Sequence, residues 1–360
     1  MKLLIDARNL GSRPSGIGMY AYNWIKALEE CDNLDIHVIV DVIESVQIKE
    51  LDKDEEVTIH CYGQFSNKSA SVIRYFKYVQ QVINEERPDI FWEVNNLCPI
   101  KIKNPYGKYI VTIHDMFPIT MSGCFGKVYP YYFRYGVAKT IRSVDAILYD
   151  SKYSKGETEI YFPIAKKKNS FISYIIIPPI PKIQVEDKDY FLYIGNLEKR
   201  KGTDILLDAY EIYVNQGGTK DLVLGGKVRE DDIEARLKVL EKKLPGLHYL
   251  GYIDDETRTR LYRECGCFVF PSRAEGFGMP LIEALQCGKP VIASNLEIFK
   301  ELVGGVINVF EMTNEKEDST RLATEMMKHM TIDIGAVNSR ICKFDSNALR
   351  AEFVNYILSI

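Results

Sequence analysis

Two glutamates eight positions apart, Glu275 and Glu283, are the residues of this 360-residue chain best placed to do chemistry. They lie in PSRAEGFGMPLIEALQCGKPVIAS (271–294), which follows the apolar run CFVF and contains a glycine loop. Pro280 marks the start of a helix, where backbone N–H groups attract phosphate. The spacing alone is unspecific, because a chain so rich in glutamate contains such pairs by chance. In their context, Glu275 lies in the loop before the helix and Glu283 lies one turn inside it, so one carboxylate can face a reacting centre while the other reaches a ribose.

Composition narrows the possible functions. The chain carries 46 Lys and Arg against 50 Asp and Glu, a net charge of −4, which argues against nucleic acid as a partner. The N-terminal apolar run stops at Asp6, and no run reaches the roughly 18 residues of a membrane span. Eight cysteines are too few for a disulfide scaffold, so a reducing, cytoplasmic location is expected.

The C-terminal half alternates short apolar runs with segments of helical periodicity, which is typical of a doubly wound parallel α/β sheet. The predicted strands are 190–194, 221–224, 248–250, 267–270, 290–293 and 305–307. The predicted helices are 203–215, 231–243, 255–264, 280–287 and 296–302. Because such sheets bind ligands at the carboxyl ends of their strands, the motif at 271–294 is expected at a ligand-binding edge.

The N-terminal half repeats this pattern less regularly, with predicted strands at 2–5, 36–40, 57–61, 109–113 and 146–148. Three prolines at 178–181 and a charged stretch then separate the halves. We therefore predict two Rossmann-like domains, 1–178 and 190–342, joined by a linker at 179–189 and facing each other across a cleft. Residues 343–360 form a predicted amphipathic helix.

Four motifs in this order resemble those of retaining GT-B glycosyltransferases, in particular glycosyltransferase family 4. They span residues 15 to 294, and chance matching of all four is very improbable. The motifs are SGIGMYAYN (15–23), similar to the glycine loop of the family; VTIHDMFP (111–118), similar to its N-domain histidine motif; YIGNLEKRKGTDILLDAY (193–210), similar to its strand, turn and basic pair; and 271–294, which resembles its Glu-x7-Glu element.

The resemblance implies a role for each matching residue. Glu275 contacts the donor sugar beside its anomeric carbon, Glu283 binds the nucleotide ribose, and Arg200 and Lys201 hold the diphosphate. Cations at the start of a helix oppose its dipole, which also indicates an anionic ligand there. The remaining donor-binding positions are Gly276, Phe277, Gly278, Met279 and Leu281 in the loop and helix opening, and Tyr252 and Ile253, where the family holds the base through backbone groups.

The same resemblance assigns residues 1–178 to acceptor binding and 190–342 to the nucleotide sugar, and it implies that helix 343–360 packs back on the N-domain. His114 is expected to contact the sugar or acceptor; a core histidine satisfied by Asp115 is the alternative. Gly16 and Gly18 are expected in a flexible loop facing the cleft, since they come too late after the first strand for a dinucleotide fingerprint. Asn196 stands where some family members carry a second arginine, which puts the strength of donor binding in question.

No cofactor and no metal are expected at this site. Two D-x-D strings, Asp52 with Asp54 and Asp187 with Asp189, lie in charged stretches that are interpreted as solvated. The built-in cations Arg200 and Lys201 are instead expected to offset the diphosphate charge.

A basic, aromatic segment at 127–142 lies in the most positively charged part of the chain. Residues 60–142 hold 11 Lys and Arg against 5 Asp and Glu. Bases beside aromatics suit peripheral contact with a membrane bearing lipid-linked acceptors, while an aromatic helix packed in the core explains the same pattern.

The sequence therefore predicts a cytoplasmic, metal-independent, retaining glycosyltransferase. Its donor would be a nucleotide diphosphate sugar carrying a hexose or deoxyhexose such as mannose, glucose or rhamnose. Its acceptor would be a glycan or a lipid-linked oligosaccharide in cell-surface polysaccharide synthesis. The alternatives are a nucleotide-sugar epimerase of similar shape, a dehydrogenase and a catalytically inactive sugar-binding module.

Overall fold

The structure is a computed structural model that describes residues 1–12, 14, 16–54, 56–66, 69–98, 100–313 and 316–360. The chain divides into two compact units. Unit 1 comprises Met1–Ile176 and Phe344–Ile360, and unit 2 comprises Ile177–Lys343. Residues 173–190, which include the predicted linker, contain no helix or strand.

Unit 1 is built on a seven-stranded parallel sheet of order β3-β2-β1-β4-β5-β6-β7. Its strands are β1 (Lys2–Asp6), β2 (Asp35–Val40), β3 (Val57–Cys61), β4 (Ile90–Glu93), β5 (Lys108–Ile113), β6 (Ala146–Tyr149) and β7 (Asn169–Ile172). Its helices are α1 (Gly16–Glu29), α2 (Val46–Leu51), α3 (Ser69–Glu86), α4 (Phe117–Thr120), α5 (Tyr129–Ser143), α6 (Lys152–Tyr161) and, from the C-terminus, α14 (Ser346–Ser359). The sequence analysis did not predict β4 or β7.

Unit 2 is built on a six-stranded parallel sheet of order β10-β9-β8-β11-β12-β13. Its strands are β8 (Phe191–Ile194), β9 (Leu222–Gly225), β10 (Leu247–Tyr249), β11 (Cys267–Phe270), β12 (Val291–Ser294) and β13 (Asn308–Phe310). Its helices are α7 (Thr203–Asn215), α8 (Asp231–Lys243), α9 (Asp255–Glu264), α10 (Met279–Gln286), α11 (Glu297–Val303), α12 (Asp318–Met326) and α13 (Ile334–Ile341). The prediction of the last strand at 305–307 was wrong, because Gly304 and Gly305 form the turn that ends α11.

Each sheet has a point where the strand order reverses, and this feature positions the ligand sites. In unit 1 the reversal lies between β1 and β4, and in unit 2 it lies between β8 and β11. Successive connections run to opposite sides of the sheet at such a point, which leaves a crevice between the two loops at the carboxyl ends of the strands. The loops that follow these four strands are therefore where ligand-binding residues are expected.

The C-terminal helix α14 packs on unit 1, as predicted. Its buried residues Leu349, Phe353 and Ile357 recur at helical spacing. The Phe353 ring lies 4.8 Å from the Trp24 ring and 5.1 Å from the Trp92 ring, centroid to centroid. The last helix thus completes the core of the unit in which the chain begins.

We expect Phe353→Ala to lower the free energy of unfolding by about 3–5 kcal/mol, because it opens a cavity among buried aromatic rings. Urea denaturation followed by tryptophan fluorescence would report the loss, since Trp24 and Trp92 line the cavity. Leu358→Ala, at a position 56% exposed on the same helix, is the control. Equal stability of the two variants would show that the helix contributes nothing to this core.

Candidate active site

The crevice of unit 2 brings together the predicted donor-binding residues. A short 3-10 turn, Lys199–Lys201, follows β8, and the loop 271–278 follows β11. Gly202 joins the turn to α7 with a φ of 70°, and a Cβ atom there would meet the Pro271 carbonyl oxygen at 1.8 Å. Only glycine allows the two loops to approach so closely.

Lys201 and Glu275 form a buried ion pair across this crevice. The Lys201 Nζ donates to both Glu275 carboxylate oxygens, at 2.7 and 2.8 Å. The Ser272 hydroxyl donates to Glu275 Oε1 at 2.6 Å. Glu275 is only 6% exposed. The carboxylate is therefore fixed in position by two neighbours, and the ammonium is held at the switch point of the sheet.

Arg200 lies against the same loop. Its Nη1 donates to the Ala274 carbonyl at 3.1 Å, and its Nη2 donates to Glu198 Oε1 at 2.6 Å. Arg273 anchors the loop from the other side through a bidentate pair with Asp204 at 2.6 and 2.8 Å. The sequence analysis did not identify Ser272, Arg273 or Asp204, whose partners are 3 to 74 positions away in the sequence.

The rest of the predicted donor set lines the same edge of the sheet. Gly278, with φ 105°, precedes α10, which begins at Met279. Phe277 and Leu281 are buried and hold this helix opening on the core, and Gly276 and Met279 are half-buried. The helix thereby presents its first backbone N–H groups at the crevice, where they can bind an anion.

Tyr252 and Ile253 follow β10. The Lys227 Nζ lies 5.0 Å from the centroid of the Tyr252 ring, which is 75% exposed. The loops after β8, β9 and β10 are tied together by a bond from Leu197 N to Lys227 O and another from Gly226 N to Gly251 O. Asn196 lies in the loop after β8. The position that is an arginine in some members of the resembled family is therefore at the crevice.

Glu283 occupies a different environment from Glu275. The Tyr262 hydroxyl donates to Glu283 Oε2 at 2.8 Å. Burial raises the pKa of Tyr262 well above its ordinary value, and the negative charge of the Glu283 carboxylate raises this pKa further. The two glutamates of the motif thus have separate partners, a cation for one and a neutral hydroxyl for the other.

His114 lies at the carboxyl end of β5, but both of its ring nitrogens are engaged. Nδ1 lies 2.7 Å from Asp150 Oδ2 and Nε2 lies 2.7 Å from the Val94 carbonyl. Both partners offer acceptor oxygens, an arrangement that favours the doubly protonated ring. The side chain is 7% exposed. The geometry therefore favours the core-histidine alternative, with Asp150 as the partner in place of Asp115.

Burial alone would lower the pKa of His114, but the Asp150 carboxylate outweighs it, and the pKa is raised. A raised pKa in the folded state stabilises the protein below about pH 6.5, and this contribution is lost as pH rises through the folded pKa. We expect the difference in unfolding free energy between the parent protein and His114→Gln to be larger at pH 6 than at pH 9. Urea titrations at both values test this, and a pH-independent difference would contradict it.

Gly16 and Gly18 were predicted in a loop, and this was wrong. Both lie in the first turn of α1. A Cβ atom on Gly18 would meet the Asn9 carbonyl oxygen at 2.4 Å, so glycine is needed there for close packing of the helix start on the preceding turn. Ser15, the first residue of that motif, lies outside the described residues.

Unit 1 has a cavity of about 370 Å³ at its own switch point. Arg8 and Asn9 follow β1, Asn95 and Asn96 follow β4, and Tyr129 and Tyr132 on α5 complete the polar lining. Asn96 Oδ1 accepts a hydrogen bond from the His114 backbone N–H at 2.7 Å, which connects the cavity to the histidine motif. The sequence analysis named the two tyrosines only as part of segment 127–142 and did not identify the residues after β1 and β4, although amides at the ends of two buried strands are a recognisable signal.

The acidic strings predicted to be solvated have lysine partners. Asp54 pairs with Lys26 at 3.3 Å, Asp187 with Lys289 at 2.5 Å and Asp189 with Lys220 at 2.6 Å.

Among the described residues, no helix is both long and apolar enough to cross a bilayer.

Comparison with known proteins agrees with this architecture. Residues 180–329 match the family model of glycosyl transferases group 1. The chain is 26% identical over 329 residues to O-antigen chain mannosyltransferase B of Escherichia coli, covering 84% of this chain and 85% of that protein. It is 22% identical to O-antigen chain mannosyltransferase RfbU of Salmonella typhimurium over 99% of both chains.

Among solved structures, Anabaena Alr3699/HepE in complex with UDP-glucose superposes with a TM-score of 0.74 at 17% identity over the full length of both chains. At this identity the likeness concerns the fold. The two Rossmann-like parallel sheets are the architecture of the GT-B fold. The match to the glycosyl transferases group 1 family model lies within unit 2, and the relatives that cover most of this chain are O-antigen mannosyltransferases.

Proposed function

We propose that this protein is a retaining glycosyltransferase that transfers a hexose or deoxyhexose from a nucleotide diphosphate sugar to a glycan or lipid-linked acceptor in cell-surface polysaccharide synthesis. The observation that carries the proposal is the Lys201–Glu275 pair at the switch point of unit 2. The O-antigen mannosyltransferases to which the chain is similar support a mannosyl donor and a polysaccharide acceptor.

The pair explains how donor binding and catalysis share one crevice. A diphosphate carries about two to three negative charges, so it competes effectively with the single charge of Glu275 for the Lys201 ammonium. Arg200 and the first N–H groups of α10 provide further donors for the phosphate oxygens. Glu275, still held by Ser272, is then directed to the sugar, where a fixed carboxylate stabilises the positive charge of an oxocarbenium-like transition state.

The test is to incubate the protein with a panel of UDP, GDP, ADP and dTDP sugars and to measure slow hydrolysis of each without acceptor. The preferred donor is then used with acceptor, and the NMR coupling constant of the new linkage gives its anomeric configuration. A retained configuration is expected; an inverted linkage would contradict the retaining assignment. A product that is only the epimer of the donor sugar would instead favour the epimerase alternative.

The same assay tests the expectation that no metal acts at the diphosphate. Because Arg200 and Lys201 supply the positive charge, sugar transfer should continue in excess EDTA. Loss of transfer in EDTA with recovery on addition of magnesium or manganese would contradict it.

We also propose that the exposed face of α5 contacts an anionic membrane surface that bears a lipid-linked acceptor. Phe133, Val137 and Ile141 bury one face of the helix in the core. The opposite face exposes Tyr131 by 78% and Tyr135 by 71% next to the exposed Lys127 and Arg134. Tyrosines and bases on one exposed face suit the interface of a bilayer with anionic lipids.

Sedimentation with vesicles tests this surface. Binding to phosphatidylglycerol vesicles should exceed binding to phosphatidylcholine vesicles, and Tyr131→Ser with Tyr135→Ser should weaken it by about tenfold, as expected for two lost interfacial aromatics. Ile160→Ser, at a position 69% exposed on α6, is the control. Equal binding by the control and the tyrosine variant would contradict the assignment of this face.

A further inference from the structure

A cluster of two histidines and a glutamate in unit 1 has no role in the proposed glycosyl transfer. His37 lies on β2, His60 lies on the neighbouring edge strand β3, and Glu86 is the last residue of α3. Ile39 pairs with His60 in the sheet, and side chains two positions apart share a face, so both histidines project from the same face of the sheet. Among the described residues, this is the one group of three or more potential metal ligands whose donor atoms all lie within 4.8 Å of one another.

The donor atoms are spaced as a metal site requires. His37 Nδ1 lies 2.9 Å from His60 Nε2. Glu86 Oε2 lies 3.4 Å from His37 Nδ1, and Glu86 Oε1 lies 3.9 Å from His60 Nε2. Ligand distances of about 2.0–2.1 Å in a tetrahedral zinc site place the ligand atoms roughly 3.3 Å from one another. The separation of the two histidine nitrogens, and the distance from each of them to its nearer Glu86 oxygen, thus lie within about 0.6 Å of that spacing.

A second carboxylate fixes one of the histidines. His37 Nε2 lies 3.1 Å from Asp35 Oδ1, so it carries the proton, and the Nδ1 lone pair points toward His60 and Glu86. A carboxylate behind a ligating histidine is the common supporting arrangement in protein metal sites. Asp35 thus selects the tautomer of His37 that can bind a metal.

The hydrogen bond between the two imidazoles is the interaction that metal binding must replace. With His37 Nδ1 as acceptor, His60 Nε2 must carry a proton in the metal-free protein. Metal binding at His60 Nε2 moves that proton to Nδ1 of the same ring, so the imidazole stays neutral. Both facing nitrogens then present lone pairs to the ion.

Only one oxygen of the Glu86 carboxylate is engaged by the neighbouring lysine. Lys2 Nζ donates to Glu86 Oε2 at 2.8 Å, which leaves Oε1 as the oxygen nearest to His60. The side chains of His37, His60 and Glu86 are 8%, 16% and 24% exposed. The cluster is therefore shielded on most sides but reachable from solvent, and water can supply a fourth ligand.

We propose that His37, His60 and Glu86 bind one divalent transition-metal ion, with Zn²⁺ as the ion whose ligand preference they fit best. The ion clamps the edge strand β3 and the end of α3 to β2. This site lies in unit 1, whereas the donor-binding residues lie in unit 2. Its role is structural, and it is independent of the expectation that the diphosphate needs no metal.

The experiment uses full-length, untagged protein freed of metal with EDTA and dialysed into metal-free buffer. Calorimetric titration with Zn²⁺ should show that one ion binds per chain. Binding of Co²⁺ should give the visible absorption spectrum of a low-coordinate site. Addition of Zn²⁺ should raise the Tm of the protein. His60→Gln should abolish these responses, and Asp35→Asn should weaken Zn²⁺ binding about 10–100-fold. Should His60→Gln fail to fold, Glu86→Gln replaces it.

The control is His248→Gln in unit 2, where an exposed histidine lies 3.0 Å from Asp221 and belongs to no group of three potential ligands within the described part of the chain. This variant should bind Zn²⁺ as tightly as the parent. Absence of Zn²⁺ uptake by the parent would overturn the proposal, as would uptake that survives His60→Gln or is lost in His248→Gln. Because the readouts are metal content and Tm, they are independent of whether glycosyl transfer is correctly assigned.

Discussion

Replacing Glu275 by glutamine should lower turnover by about 10²–10³-fold while leaving nucleoside diphosphate binding unchanged or tighter. Glutamine keeps the shape of the side chain and can still accept from the Ser272 hydroxyl, but it removes the charge that the transition state requires. It also releases the Lys201 ammonium from its ion pair, which makes that cation more available to a diphosphate. Acceptor-dependent transfer rates and calorimetry with the nucleoside diphosphate measure the two effects separately.

Glu283 provides the comparison, because it belongs to the same motif. Glu283→Ala should weaken nucleotide binding, and Tyr262→Phe controls for the loss of the Tyr262–Glu283 hydrogen bond while keeping the carboxylate. If Tyr262→Phe binds nucleotide normally and Glu283→Ala does not, the carboxylate itself acts on the nucleotide. Equal nucleotide affinity in Glu275→Gln and Glu283→Ala would contradict the division of roles between the two glutamates.

Lys201→Ala should cost about 2–4 kcal/mol of transition-state stabilisation, a loss of roughly 30–1,000-fold in kcat/KM. The reason is that a preorganised cation is removed from the position where the leaving diphosphate develops charge. Lys199→Ala is the matched control, since Lys199 lies in the same turn but pairs at the surface with Asp232. Its kcat/KM should stay near that of the parent.

Lys201→Ala also leaves Glu275 buried without a cation, which destabilises the fold independently of catalysis. The double variant Lys201→Ala, Glu275→Gln removes both charges and should recover much of the lost stability without recovering activity. Thermal melts and kcat/KM of the three variants distinguish these effects. Recovery of activity in the double variant would contradict the catalytic role of both charges.

The sequence predicted unit 2 more completely than unit 1 for a physical reason. Most of its strands are short apolar runs between amphipathic helices, and both signals are local. In unit 1, β4 is only four residues long and ends on the charged residue Glu93, and β7 begins with Asn169 and Ser170, so neither gives a clear local strand signal. Such strands form because neighbouring strands pair with them, which is not a local property.

The same distinction applies to the sites. Glu275 and Lys201 were each predicted from their own motif, but their direct contact joins residues 74 positions apart and follows only from the order of β8 and β11 in the sheet. His114 was predicted from its position after a strand, whereas its partner Asp150 follows a different strand, β6. Residue type and local context identify candidates, and strand order decides which of them touch.

The packing of α14 has a consequence for how the chain is made. Unit 1 is interrupted by the whole of Ile177–Lys343, so the face formed by Trp24 and Trp92 has no cover until the final residues have been synthesised. At about 5–20 residues per second, the two parts of unit 1 leave the ribosome on the order of ten seconds apart. During that interval the nascent chain exposes the aromatic surface around Trp24 and Trp92, although unit 2 is already able to fold. We therefore expect a ribosome-associated chaperone to contact this surface.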